Sequence, residues 1–209
     1  VSPHAVIFDL GNVLIDWDMK PSFRPHFESE AEVEAFLTWF SPFFMEHVHD
    51  GRGDLGASLA PLRTQFPDKS HLFDVFEHRW HNFMKGPIVG TVDILHRLDA
   101  RGTPLFALTN WPHQVWPPRG PEDADPADHD YSFMSRFADI VVSGQVAMRK
   151  PDDDIYLHAL EKFGLAAAEA VFVDDLAENV VAANGLGITG LQFVSPEKLE
   201  SDLAELGFL

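Results

Sequence analysis

A nearly continuous apolar run that stops on an acid, Ala5-Val6-Ile7-Phe8-Asp9, followed by Leu10-Gly11-Asn12-Val13, limits this chain more than any other feature. Three later segments repeat the design: Leu108-Thr109-Asn110, Arg149-Lys150-Pro151 and Val171-Phe172-Val173-Asp174-Asp175. Each puts a polar group at or just after the end of an apolar run, where open parallel sheets gather their ligand-binding residues. Strand-like runs cover His4 to Leu10, Thr103 to Thr109, Ile140 to Ser143, Ala170 to Asp174 and Ile188 to Val194. Helical patterns separate them at Thr91 to Ala100, Pro151 to Phe163 and Leu176 to Leu186, with Gly102, Gly164 and Gly187 after them as helix C-terminal glycines. Uninterrupted apolar strands alternating with helices predict an α/β fold with a parallel sheet covered on both faces.

Residues from Met19 to about Lys85 break that alternation. They are rich in Phe, Trp and His at helical spacing and show no convincing strand, so residues 19–85 read as a helical cap inserted after the first strand. The core is then 1–18 together with 86–209. Trp39, Phe40, Phe43, Phe44, Phe73, Phe76 and Trp80 are expected in the cap interior. A stretch dense in Pro and Asp, Trp111 to Asp130, reads as a long loop, either a functional lid or a mobile excursion.

Composition removes several function classes. With 209 residues, 45% of them hydrophobic, the chain can bury one substantial core and a smaller accessory domain. It has no cysteine, which excludes disulfide and thiol chemistry and fits a reducing compartment. No segment reaches the roughly 20 apolar residues of a membrane span, and a soluble, cytoplasmic protein without a membrane partner is expected. Thirty-three acids against 15 bases, a formal charge of −18, argue against nucleic acid. An anionic small substrate would need local positive charge from a metal, Lys150 or helix N-termini.

The polar strand ends are the candidate site. Asp9 follows a strand that is central in a doubly wound sheet, with Gly11 and Asn12 allowing a sharp turn beneath it; an ordinary turn or capping Asp is the alternative. Asp174-Asp175 concentrates negative charge that a cation would relieve, and oxygen ligands without Cys favour Mg2+. The alternative is one capping and one solvated acid. Asn179, one turn beyond Asp175, is placed to orient that carboxylate. Thr109 and Asn110 offer a hydroxyl and backbone N–H groups to phosphate oxygens. Trp111, His113 and Trp116 come next and are placed to shape the pocket. His47 with His49 and His78 with His81 lack a third ligand at useful spacing and read as structural or surface residues.

In this order the four segments resemble the motifs of the haloacid dehalogenase-like (HAD) hydrolase superfamily across nearly the whole chain outside the cap. Phe8-Asp9-Leu10-Gly11-Asn12-Val13-Leu14, Thr109-Asn110-Trp111 and Arg149-Lys150-Pro151 are similar to a bacterial branch that includes sugar-phosphate phosphatases. The resemblance implies a three-layer, Rossmann-like core with a cap. It implies Asp9 as nucleophile, with Mg2+ held by Asp9, the Gly11 carbonyl and Asp175, and Asp174 nearby. Thr109, the Asn110 backbone and Lys150 would hold the phosphoryl group of a small phosphorylated substrate, beside Trp111.

Gly11 departs from the pattern, because most phosphatases of the superfamily place a second, acid/base Asp at that position. A better leaving group, a bound water, or a residue such as Asp16, Asp18 or His113 would have to compensate. Three functions follow: a magnesium-dependent phosphatase working through an aspartyl phosphate, a 2-haloacid dehalogenase using Lys150 and Tyr156, or a catalytically weak ligand-binding protein. Dehalogenases of this type resemble one another in carrying small polar residues where this chain has Asp174-Asp175.

Overall fold

The computed structural model describes residues 2–47 and 55–209, apart from the side chains of residues 45–47. The strands β1 (Ala5–Phe8), β4 (Leu105–Thr109), β5 (Asp139–Val142), β6 (Ala170–Asp174) and β7 (Thr189–Gln192) form one parallel sheet in the order β5-β4-β1-β6-β7. Between them lie β2 (Ile15–Trp17) and β3 (Met84–Pro87), paired antiparallel as a separate two-stranded ribbon. β1 is central, hydrogen-bonded to β4 on one side and β6 on the other. The connections reverse direction there, so the carboxyl end of β1 opens into the crevice where doubly wound sheets bind ligands.

The nine helices of the described residues are α1 (Lys20–Phe23), α2 (Glu30–His47), α3 (Leu55–Gln65), α4 (Ser70–His78), α5 (Val89–Ala100), α6 (Ser143–Val146), α7 (Asp153–Phe163), α8 (Ala177–Gly185) and α9 (Pro196–Glu205). Successive side chains of β1 point to opposite faces, as strand geometry requires. Ala5 and Ile7 pack with Ile155, Tyr156 and Leu160 of α7 and Ala183 of α8. Val6 and Phe8 pack with Ile94, Leu95 and Leu98 of α5 and Leu199 and Leu203 of α9. This is the expected three-layer α/β architecture, and it accounts for strands that are apolar at every position.

The cluster holding Val6 and Phe8 continues without a break into the helical insertion, through Phe23, Phe36, Phe40, Phe44, Phe73, Phe76, Trp80 and Phe83. Rings there meet edge to face, as in Phe40 with Phe76 (5.0 Å, 74°) and Phe76 with Trp80 (5.2 Å, 85°), the geometry that aromatic quadrupoles favour. Trp39 differs from the expected core position. It is 39% exposed, with its ring against Phe66 at the rim.

One expectation needs correction. Met84 and Lys85 belong to β3, so the segment read as free of strands ends in one. A four-residue strand interrupted by Gly86 and Pro87 has too little alternation to be seen in sequence. The Trp111 to Asp130 stretch is a loop, as expected, and it packs against β3. It contains short helical turns at His113–Val115 and Pro126–His129. The Asp128 carbonyl oxygen sits where a Cβ on Gly86 (φ +120°) would be, 2.4 Å away, so only glycine admits the loop against β3. No helix among the described residues is long and apolar enough to cross a membrane.

Candidate active site

Asp9 leaves the sheet immediately after β1, its backbone N–H donating to the Val173 carbonyl at 2.8 Å. The chain then reverses tightly: Leu14 and Ile15 N–H both donate to the Leu10 carbonyl, and Asn12 takes the left-handed conformation at φ 55°. Asn tolerates this better than most residues because its short polar side chain bonds locally. Here Asn12 Oδ1 accepts from Trp17 N–H at 3.1 Å, and the Asn12 side chain acts to lower the pKa of the Asp175 carboxyl. Gly11 in the same turn lines the pocket, and a Cβ placed on it would meet nothing within 4 Å.

Lys150 is 2% exposed and reaches three strands. Its Nζ donates to the Leu108 carbonyl (3.1 Å) and Asp174 Oδ2 (2.6 Å), and lies 2.9 Å from Asp9 Oδ1. The last is a charge contact poorly angled for a hydrogen bond, and Asp9 Oδ1 keeps its acceptor capacity in a buried position. Asn110 fixes the backbone that carries this lysine: its amide donates to the Lys150 carbonyl (3.0 Å) and its carbonyl oxygen accepts from Lys150 N–H (2.9 Å). The Lys150–Pro151 peptide is cis.

The acid doublet is divided. Asp174, fully buried, accepts from Leu176 N–H (2.9 Å), from Lys150, and from the Asn179 amide on both oxygens (2.9 and 3.1 Å). Asn179 therefore orients Asp174, not Asp175 as the helical spacing suggested. Asp175, partly exposed, lines the pocket with Asp9, Thr109, Asn110, Trp111 and Lys150. One carboxylate oxygen from each of Asp9, Asp174 and Asp175 lies within 4.8 Å of the others.

Burial pushes the Asp9 pKa up to about 7; Lys150 pulls against this, while Asp174 and Asp175 add to it. Burial and Asp174 likewise raise Asp175. Burial acts to lower Lys150, but Asp174 and Asp9 outweigh it and its pKa is raised, so the ammonium stays charged. Three carboxyl groups facing one ammonium leave an excess of negative charge that a divalent cation would relieve.

Trp111 is buried with its N–H donating to Ser143 Oγ (2.9 Å) and its indole Nε1 to the Val115 carbonyl (3.2 Å). Gly144 is needed there, since a Cβ would fall 2.5 Å from His113 N and 2.6 Å from the Trp111 carbonyl oxygen. Trp17, Met19, Ser41, Phe44 and Trp80 come from the ribbon and the insertion to complete the lining of a cavity of about 220 Å³.

The suggested substitutes for an acid at Gly11 do not meet the pocket: Asp16, Asp18 and His113 are absent from its lining, and Asp18 accepts from Lys20 N–H (2.8 Å). Tyr156 is buried, donating to the Asn179 carbonyl (3.0 Å), and burial raises its pKa. His78 stands near Asp74 and Glu77, but Arg63 pairs with both acids (2.9 and 2.6 Å). His47 and His49 fall outside the described side chains. The insertion's share of the lining, the Asn110 clamp and the Asn12 contact were missed in sequence; the Gly11-Asn12 turn was the one signal for the last.

Fold and site together define a hydrolase class. Residues 3–187 match the family described as haloacid dehalogenase-like hydrolase, and the chain belongs to it. It is 28% identical over 188 residues to the sesquiterpene phosphatase astK of Aspergillus oryzae, covering 90% of this chain and 88% of that protein. A HAD family enzyme from Bacteroides thetaiotaomicron, in complex with magnesium and inorganic phosphate, has the same fold with a TM-score of 0.62 at 20% identity, over 91% of this chain and 94% of that one. L-2-haloacid dehalogenase from Xanthobacter autotrophicus shares the fold equally well, with a TM-score of 0.62 at 20% identity over 99% of this chain and 86% of that one. Those structural likenesses establish the fold and do not choose between the chemistries.

Proposed function

We propose that this hydrolase is a magnesium-dependent phosphatase that cleaves a small phosphorylated metabolite through an aspartyl phosphate on Asp9. The observation that carries the reading is the divided acid pair: Asp174 is tied to Lys150 and Asn179, while Asp175 faces the pocket within 4.8 Å of Asp9. A halide-displacing enzyme has no evident use for that second, cation-seeking carboxylate. The relative named as a sesquiterpene phosphatase supports the same choice.

The residues fit a magnesium site. Asp9 Oδ1 is a buried acceptor without a well-angled donor, and three oxygen ligands converge around it. Asp9, the Gly11 carbonyl and Asp175 would hold the ion, with Asp174 behind them. When bound it would neutralise charge on the transferring phosphoryl group, the main catalytic task when the transition state is loose.

Thr109, Asn110 and Lys150 hold the phosphoryl oxygens, with Trp111 beside them. An Asp9 carboxylate oxygen attacks phosphorus as the bond to the leaving oxygen breaks, and the leaving oxygen keeps the electron pair. Water then attacks the same phosphorus, the acyl phosphate opens, and Asp9 returns as a carboxylate. Ester and water become alcohol and phosphate, a proton from water ending on the alcohol.

Phosphate release over sugar phosphates, nucleotides and acyl phosphates, with and without chelator, tests this. Asp9→Asn is expected to lose at least about a thousandfold in kcat, the scale of removing a nucleophile. Full activity in that variant, or halide release without magnesium, would overturn the assignment.

A further inference from the structure

The phosphoryl side of the pocket is polar, but the side that must receive the rest of the substrate is not. Trp17 stacks on Phe44 (5.7 Å, 15°) and touches Trp80 (5.7 Å); Phe44 also meets Trp80 (5.9 Å), and Trp80 meets Trp111 (6.0 Å). These rings form one continuous aromatic wall across the ribbon, the insertion and the core. The indole nitrogens of Trp17 and Trp80 are buried and without a hydrogen-bond partner among the described residues, and that of Trp111 is spent on the Val115 carbonyl. Among the described residues, Ser41 is the single hydrogen-bonding side chain that the insertion brings to the lining. A polyhydroxy leaving group would lose water there and find almost no partners, which is a desolvation cost without return.

Chemistry narrows the substrate a second way. Among the described residues the lining's ionisable groups are Asp9, Lys150 and Asp175, all on the phosphoryl side, and a Cβ on Gly11 would meet nothing within 4 Å. No further ionisable side chain of the lining, among the described residues, is placed to protonate the leaving oxygen.

Resting on the phosphatase reading, we propose that the substrate is a phosphomonoester of an apolar aromatic alcohol, phenol-like or enol-like, whose ring lies against Trp17, Phe44 and Trp80. Its oxygen departs with the electron pair unprotonated, because the ring delocalises the charge, and takes its proton from solvent afterwards. The two constraints are independent: the wall selects an apolar body, and the open place at Gly11 selects a stable leaving anion.

The test compares kcat/KM for phenyl and naphthyl phosphates, glucose phosphates and phenethyl phosphate, in the wild type and in Gly11→Asp. The wild type is expected to favour aryl over sugar esters by about tenfold or more, the scale of burying one ring. Gly11→Asp, whose Cβ would meet nothing within 4 Å, is expected to raise the ratio of phenethyl to phenyl phosphate turnover by about tenfold or more, since a positioned acid typically contributes about 10²–10⁴-fold and any disturbance of the metal site lowers both esters alike. Sugar esters turned over as well as aryl esters would overturn the proposal and leave the phosphatase reading standing, as would a folded Gly11→Asp whose alkyl-to-aryl turnover ratio is unchanged. Binding of phenylphosphonate against a glucose phosphonate to Asp9→Asn, read by tryptophan fluorescence, decides the case without turnover. Tighter binding of the aryl ligand by about tenfold supports the proposal, and equal binding overturns it. No phosphate release from any ester would instead remove the phosphatase reading, with the binding arm still deciding what the wall accepts.

Discussion

At the floor of the pocket Asp9, Lys150, Asp174 and Asp175 crowd around one point, whereas at its roof Trp17, Phe44 and Trp80 lie ring against ring with no titratable group among them. The floor is held by directed bonds of known partners, so each atom there has little freedom to be replaced. The roof is held by burial and ring contact, which are tolerant of shape and indifferent to direction. One surface can therefore fix a reacting group while the other only sorts what is attached to it.

If that contrast is right, damage to the floor should cost stability and activity together. Lys150→Met leaves Asp9 and Asp174 buried without their cation, and a loss of about 3–5 kcal/mol in urea unfolding is expected along with loss of turnover. An unchanged unfolding midpoint would show that the ammonium is not what holds the floor. A smaller effect is expected from Asn179→Ala, which removes two contacts to Asp174 but leaves Lys150 in place. Its expected cost is about 1–3 kcal/mol, with kcat falling more than KM rises, measured by steady-state kinetics beside denaturation. The mildest change is at the roof. Phe44→Leu should cost under about 1.5 kcal/mol and should weaken binding of aryl ligands without altering the rate at saturation. A lower kcat in that variant would erase the distinction between the two surfaces.

The floor was legible in sequence because its logic is local: an apolar run bounded by helical patterns reads as a buried strand, and a polar group at its end is a candidate for the crevice, with a turn or helix cap as the alternative. Asp9, Thr109 and Asp175 were singled out this way and Lys150 by its place among them, and all four line one pocket. The partner of Asn179 was misassigned because helical spacing relates Asn179 to both neighbouring acids and cannot tell which one turns inward. The roof was visible only as aromatic abundance. Which ring of Phe40, Phe44, Phe76 or Trp80 faces the cavity depends on how three helices and the ribbon dock, and periodicity within one helix carries no such information. The ribbon itself was lost because its strands are three and four residues long, below the length at which alternation can be counted.

Lys150 has one further consequence, for assembly rather than catalysis. Its two acceptors and its second ion-pair partner come from β4, from β6 and from the end of β1, the three adjacent strands at the centre of the sheet. A chain that threaded those strands in another sequence would strand an ammonium in apolar surroundings with an acceptor missing, a fault that no amount of greasy packing repairs. The same charge that readies the crevice thus ties three neighbouring strands at one point, so misordering them would cost a buried ion its partners.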